Sequence, residues 1–287
     1  MSVSATPLPP GDSTEGAVQP AELAAFTPFD CLDPTALARL APHCERRHYR
    51  LGQVVLREEL LPPGVLLVQQ GRLRLLASDP GGEGTLTIDR LQPGALAGWS
   101  SLVRQRACEH LRASTAVQAL LVPAAEFLAA VAEPSPFSAW FHQHLSAAEL
   151  HQLLLALVRR DPSAAPLLEQ WTSAQLEVTL VSQPAGAPLE PIDHSDGRGW
   201  WISSGGPLAA PWPGDSPIEP AAAAAPIPWL RLIGLTLPAE PSVPAVSPEP
   251  AVSPEPAESP ELSPAPLVPA PYRLAPPQPP PSPVPPA

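Results

Sequence analysis

The chain has 287 residues, a net charge of −12, no lysine and 46 prolines, 19 of them within residues 239–287. That last segment cannot build a helix or a sheet, because proline has no N–H to donate and pushes the residue before it out of helical geometry. The rest can hold one full domain and one smaller unit, and with no basic stripe along it the sequence argues against a nucleic-acid partner.

The charge is uneven: residues 1–160 hold 13 Arg against 15 Asp and Glu, residues 161–287 only 3 against 13. Cys31, Cys44 and Cys108 make an odd, scattered set without a CxxC pair, which suits a reducing compartment. The start of the chain lacks a basic region followed by an apolar one, and no apolar run is long enough to span a bilayer. The expectation is a cytoplasmic protein with no direct membrane insertion. Arginine in place of every lysine reads as the coding bias of a GC-rich genome.

Residues 1–20 are polar and rich in Pro, Gly, Ser and Thr, and read as a disordered leader. Asp33-Pro34 ahead of Thr35–Leu40 is a helix start, with Asp33 as N-cap, Pro34 in the first turn, and Leu37, Leu40 and Ala41 facing the core. From Arg50 to Ala113 short apolar runs are punctuated by single glycines. The runs 53–56, 65–68, 72–76 and 85–88, with a last strand at 117–122, predict an antiparallel β-roll with tight turns. Asp79–Gly84 and Leu91–Gly94 are the clearest of those turns.

Helical spacing follows. Phe127, Leu128 and Val131, then Phe137, Trp140, Phe141 and Leu145, then Leu150, Leu153, Leu154 and Val158 mark three helices. Arg159 and Arg160 suit the C-terminus of the third. Strand signals return at 176–181, 199–206 and 229–235, the outline of a second, eroded roll. The domain reading is therefore a leader at 1–20, a roll at 21–145, a helical connector at 146–172, a small divergent β unit at 173–238, and an acidic, Pro-rich tail at 239–287, disordered and extended as polyproline II.

Residues 26–145 resemble a cyclic-nucleotide-binding domain of the catabolite-activator effector type. The segments that carry the resemblance are Tyr49–Val55, Val65–Leu75 and Leu91–Gly98, with Gly52, Gly71 and Gly98 at the family's turn positions. The resemblance implies a ligand cassette between two strands. In it a short helix points its N–H groups at the cyclic phosphate, a glutamate after the turn glycine holds the ribose, and an arginine followed by Ser or Thr holds the phosphate. Here the glutamate position falls on Trp99, the arginine position on Ala107 and the Ser/Thr position on Cys108. Both charged anchors are missing. At about 1.5–3 kcal/mol for each charged hydrogen bond, their loss weakens binding by roughly a hundred- to ten-thousandfold. The expectation is a vestigial cassette formed by Gly98, Trp99, Ser100, Arg104, Arg106, Ala107 and Cys108. No cofactor is expected, with tight binding of cyclic AMP or cyclic GMP disfavoured. The alternative is a genuine sensor of an anionic small ligand that uses Arg104 or Arg106.

The layout also resembles the N-terminal regulatory part of bacterial peptidase-containing ABC exporters, which implies a protein partner such as an exporter or its peptidase. No helix-turn-helix follows the roll, and without lysine no phosphate-binding loop of the GxxxxGK[ST] kind is possible.

Other constellations have bland readings. Asp193–Gly197 holds the residue types of a hydrolase triad, but adjacent residues cannot converge as one, so a turn is the reading. His142, His144 and His151 lie on the expected helices, and His144 and His151 share a face only if one helix is continuous through Ser146; a metal site would need four ligands in tetrahedral reach, so surface or interfacial histidines are the reading. Cys108, near Arg104, Arg106 and Arg112, is either a redox-sensitive thiol or a small buried side chain, the latter favoured. Arg46-Arg47-His48 would be solvated or paired with Glu45 and Glu58. Arg273–Pro279 fits an RxxPxxP peptide, which in so proline-rich a tail reads as spacer. The tryptophans anchor cores, or leave an exposed subset as a docking patch on the second β unit. The sequence thus predicts a non-enzymatic regulatory module, mainly β with flanking helices.

Overall fold

A computed structural model of the chain describes residues 12–14, 16–79, 84–184, 198–204, 208–211 and 229–236. The first half is an antiparallel β-roll of two sheets. One contains β1 (Asp12–Thr14), β2 (Glu45–Tyr49), β9 (Val117–Pro123), β4 (Gly64–Gln70) and β7 (Leu96–Ala97), in that spatial order. The other runs β3 (Val54–Leu56), β8 (His110–Ala113), β5 (Leu73–Ser78) and β6 (Thr85–Leu91). Strand β1 falls inside the stretch expected to be a disordered leader, pairing with β2 from Asp12 opposite His48 to Thr14 opposite Arg46.

Side-chain alternation explains why β4 and β9 read as continuous apolar runs. Val65 and Leu67, with Leu120 and Val122, face a core shared with the helices. Leu66 and Val68, with Ala119 and Leu121, face the inside of the roll beside Leu73, Leu75 and Leu111. Both faces of these strands are covered, so both faces are apolar.

Helix α1 (Pro20–Leu23) and helix α2 (Pro34–Leu40) precede the roll. Asp33 caps α2 as expected, its Oδ1 accepting from Thr35 N at 2.8 Å and Ala36 N at 2.9 Å, and Leu37, Leu40 and Ala41 are buried. Arg46 bonds Glu22 in α1 at 2.7 and 2.8 Å rather than Glu58, while Arg47 pairs with Glu45. A short helix, α3 (Trp99–Arg104), links β7 to β8. Then α4 (Ala124–Ala132), α5 (Pro136–Gln143), α6 (Ala147–Arg160) and α7 (Ala165–Thr172) follow. The stripe read through Leu145 breaks sooner, since His144 is extended and Ser146 begins α6 by accepting from Ala148 N. His144 and His151 therefore lie on no common helix. Among the described residues no group of three His, Cys, Asp or Glu is placed to hold a metal ion, and no helix is long and apolar enough to cross a membrane.

Among the described residues the second β unit is a three-stranded sheet. Its order is β10 (Val178–Pro184), β12 (Trp229–Thr236), β11 (Arg198–Ser204). Ile233 and Leu235 pack with Leu150, Leu153, Leu154 and Leu157 of α6 and with Leu167 and Leu168 of α7. Trp200 lies directly opposite Gly234, where a Cβ would come within 2.9 Å of the indole ring. Glycine is needed there to let the ring cover the backbone. Every described tryptophan is buried or half-buried, so the aromatics of this sheet anchor cores and form no exposed patch. Residues 1–240 cluster as one unit and 241–287 as another. The Asp193–Gly197 turn, Trp212 and the Arg273–Pro279 motif lie outside the described residues, as does most of the Asp79–Gly84 turn.

Candidate functional site

Helix α3 is the segment that the sequence assigns to a ligand cassette. It is entered through Gly98 at φ +86° and left through Gln105 at φ +52°, so left-handed residues turn the chain sharply at both ends. All six residues of the helix are buried.

The first amides of α3 have no partner within the helix and need one. A carboxylate of the chain supplies it. Glu109, just before β8, accepts from Gly98 N at 2.8 Å through Oε1, and from Ser101 N at 3.3 Å and Ser101 Oγ at 2.7 Å through Oε2. Burial pushes this carboxyl above its ordinary range, though the hydrogen bonds from Ser101 and Gly98 pull it back in part. Cys108 N donates to Ser101 Oγ at 3.2 Å, which closes the loop beneath the helix. Burial pushes the Cys108 thiol up to about 11 against the pull of Arg104, leaving a small buried side chain rather than a reactive thiolate.

Trp99 turns inward. Its ring meets Trp140 at 5.6 Å edge-on and Phe141 at 5.5 Å, within the aromatic core of α4 and α5. The cavity left beside it measures about 170 Å³ and has two carboxylates, Asp89 and Glu109, in its wall.

Arg104 is committed inside the protein. Its Nε and Nη2 donate to Ser203 O at 3.3 and 3.0 Å, and Nη2 also donates to Gln152 Oε1 at 3.0 Å. Gln152 in turn donates to Ala107 O at 2.8 Å, which fixes the end of the cassette loop. Glu149 on α6 lies 3.6 Å from Arg104 and takes two hydrogen bonds from Arg231 of β12, at 3.0 and 2.9 Å. Ser203 Oγ donates a third at 2.7 Å, and Ser100 Oγ reaches the same carboxylate at 3.5 Å. Arg231 also donates to Phe141 O and His144 O, both at 2.8 Å, capping the end of α5. Burial alone would raise the Glu149 carboxyl, but Arg231 and Arg104 outweigh it and hold the group below its ordinary range.

The structure thus gathers Gly98, Trp99, Ser100, Arg104, Ala107 and Cys108 around one buried helix. Arg106 lies half-buried at its end, with its guanidinium lowered by burial and next by Arg104. Sequence reasoning missed Glu109, Glu149 and Arg231. Their signal was the lone charge in an apolar run, as at Trp229–Leu235, or on an apolar helix face, as at Glu149 beside Leu150 and Leu153.

Residues 46–133 match the family of the cyclic nucleotide-binding domain. The two-sheet roll with its helical flanks is consistent with the fold of that domain. No curated protein matches the chain. Among solved structures it is similar to the regulatory subunit of a cAMP-independent protein kinase A from Trypanosoma cruzi bound to guanosine, at 15% identity over 47% of each chain and a TM-score of 0.41. It is also similar to a cyclic nucleotide-binding-like protein from Brucella abortus, at 22% identity, 40% of this chain, 98% of the other and a TM-score of 0.35. A cyclic nucleotide-binding protein from Geobacter metallireducens gives 22% identity, 47% and 98% coverage and a TM-score of 0.39. The chain spans about half the length of the trypanosome subunit.

Proposed function

We propose that the chain is a non-enzymatic, cytoplasmic regulatory module whose cyclic-nucleotide cassette is closed to its ligand and which acts through protein contacts. One observation carries this reading: the Glu109 carboxylate already holds the amides at the start of α3. Those are the groups that a cyclic phosphate takes in the family resembled. A second anion there would meet Glu109 and Asp89 rather than a guanidinium. On the ribose side the position of the glutamate is taken by Trp99, whose ring is engaged in the aromatic core with Trp140 and Phe141 and offers no carboxylate to a hydroxyl.

A peptidase-containing ABC exporter is the partner that the order of roll, small β unit and Pro-rich segment suggests. No comparison names such an exporter, so this part rests on the layout alone. The competing reading, a sensor of an anionic ligand, draws on Arg104 or Arg106. Arg104 is fully buried and bonded to Ser203 and Gln152, which weighs against it and leaves Arg106. Thermal melts of the full chain with cyclic AMP, cyclic GMP and cyclic dinucleotides separate the two. Unchanged melting across the panel is expected for the closed cassette. A rise of several degrees with one nucleotide, lost in Arg106→Gln, would establish the sensor instead.

A further inference from the structure

The outward face of the second sheet gathers four arginines that the sequence scatters over 41 positions, from Arg72 to Arg112. Arg74 on β5 stands directly opposite Arg90 on β6 and Arg112 on β8. Arg72 lies two residues before Arg74 and so shares its face. Their neighbours Leu73, Leu75, Leu111 and Ala113 point the other way, into the roll. The four arginines, with Leu51 and Thr115, line a groove of about 420 Å³.

Three features set this groove apart from an ordinary solvated face. Like charges directly opposite one another in a sheet are unfavourable, yet Arg74 forms two such pairs. Among the described residues none of the four has an ion-pair partner, and Asp89, next to Arg90 in sequence, lines the cassette cavity on the other side. Arg74 Nε is shielded from solvent and donates no hydrogen bond.

The floor of the groove is held in place. Arg72 N donates to Thr115 Oγ1 at 2.9 Å, and Ser114 N and Oγ donate to Arg72 O at 2.9 and 3.0 Å. A fixed floor lowers the ordering cost of binding. The guanidinium forks stand on strands about 4.8 Å apart, so three of them span roughly 10 Å. One phosphate cannot reach across that span, but a short chain of phosphoryl groups can, and the fork geometry of arginine matches phosphate oxygens in pairs. The net charge of −12 repels extended anionic surfaces and favours a compact ligand.

We infer that this face binds a soluble ligand carrying two or more phosphoryl groups, outside the roll and independently of the cassette. Titration calorimetry of the full chain at low salt, with orthophosphate, pyrophosphate and tripolyphosphate as probes, tests it. Tripolyphosphate is expected to bind one to one and more tightly than orthophosphate, and to weaken as salt is added. Arg74→Gln and Arg112→Gln are each expected to weaken binding roughly tenfold or more. Arg39→Gln, on α2, is expected to leave it unchanged. Arg112 is exposed, so its substitution keeps the fold even if that of Arg74 disturbs it. No binding of tripolyphosphate by the full chain would overturn the inference. So would equal weakening by Arg39→Gln, or binding confined to duplex oligonucleotide or to vesicles containing phosphatidylglycerol.

Discussion

A carboxylate with no access to water persists as an anion only when it is paired, and Glu149 is paired with two arginines at once. Glu149→Gln leaves Arg104 and Arg231 buried without a counter-charge. The expected cost is about 3–5 kcal/mol in a denaturant melt at neutral pH. The pH dependence follows from the direction of the shift. The Glu149 carboxyl is depressed in the folded protein, so its stabilisation is present above the ordinary carboxylate range and is lost as pH falls through the lower folded value. Glu109 runs the other way, because its carboxyl is raised on folding and its contribution declines as pH rises through that value. Stability measured from neutral pH downward should fall in wild type and fall less steeply in Glu149→Gln. An unchanged slope would mean that the buried pair does not govern acid unfolding.

At the scale of the element, helix α3 depends on its entry. Gly98 sits at φ +86°, and a Cβ there would come within 2.7 Å of Gly64 O, a backbone atom that cannot swing aside. Gly98→Ala is expected to cost about 1–3 kcal/mol from backbone strain alone, read as a lower melting temperature. An unaltered melt would show that the turn relaxes freely. This turn was legible in the sequence, as were the strands of the roll and the cap at Asp33, because each is written in a local period or a local cap. The partners of those elements were not legible. Arg104, Glu149 and Arg231 are brought together by the packing of α3, α6 and β12, and no local pattern records which buried charge meets which. The arginines at 74, 90 and 112 share a face only because the pairing register sets them opposite one another, and a slip of one residue would turn them inward. Among the described residues the second β unit shows three paired strands, and how many more would pair was not legible for a related reason. Alternating runs announce strands, but the number of strands that pair is a tertiary matter.

Across the whole molecule, the roll, the helices and the small sheet are joined by buried contacts rather than by chain continuity alone. Trp229 of β12 belongs to the same core as Trp99 of α3 and Phe141 of α5. Arg231 ties the end of α5 to α6, and Arg104 ties α3 to Ser203 of β11. The cassette helix is thus fixed from three sides, by Glu109 at its start, by the aromatic core around Trp99, and by the small sheet at its end. On the reading proposed above, a cyclic nucleotide would have to displace the first and reshape the second. The most direct measurement of this is titration calorimetry of cyclic AMP into the full chain at neutral pH. The closed cassette predicts no saturable heat up to about millimolar nucleotide, whereas one-to-one binding with a dissociation constant of about a micromolar would contradict it.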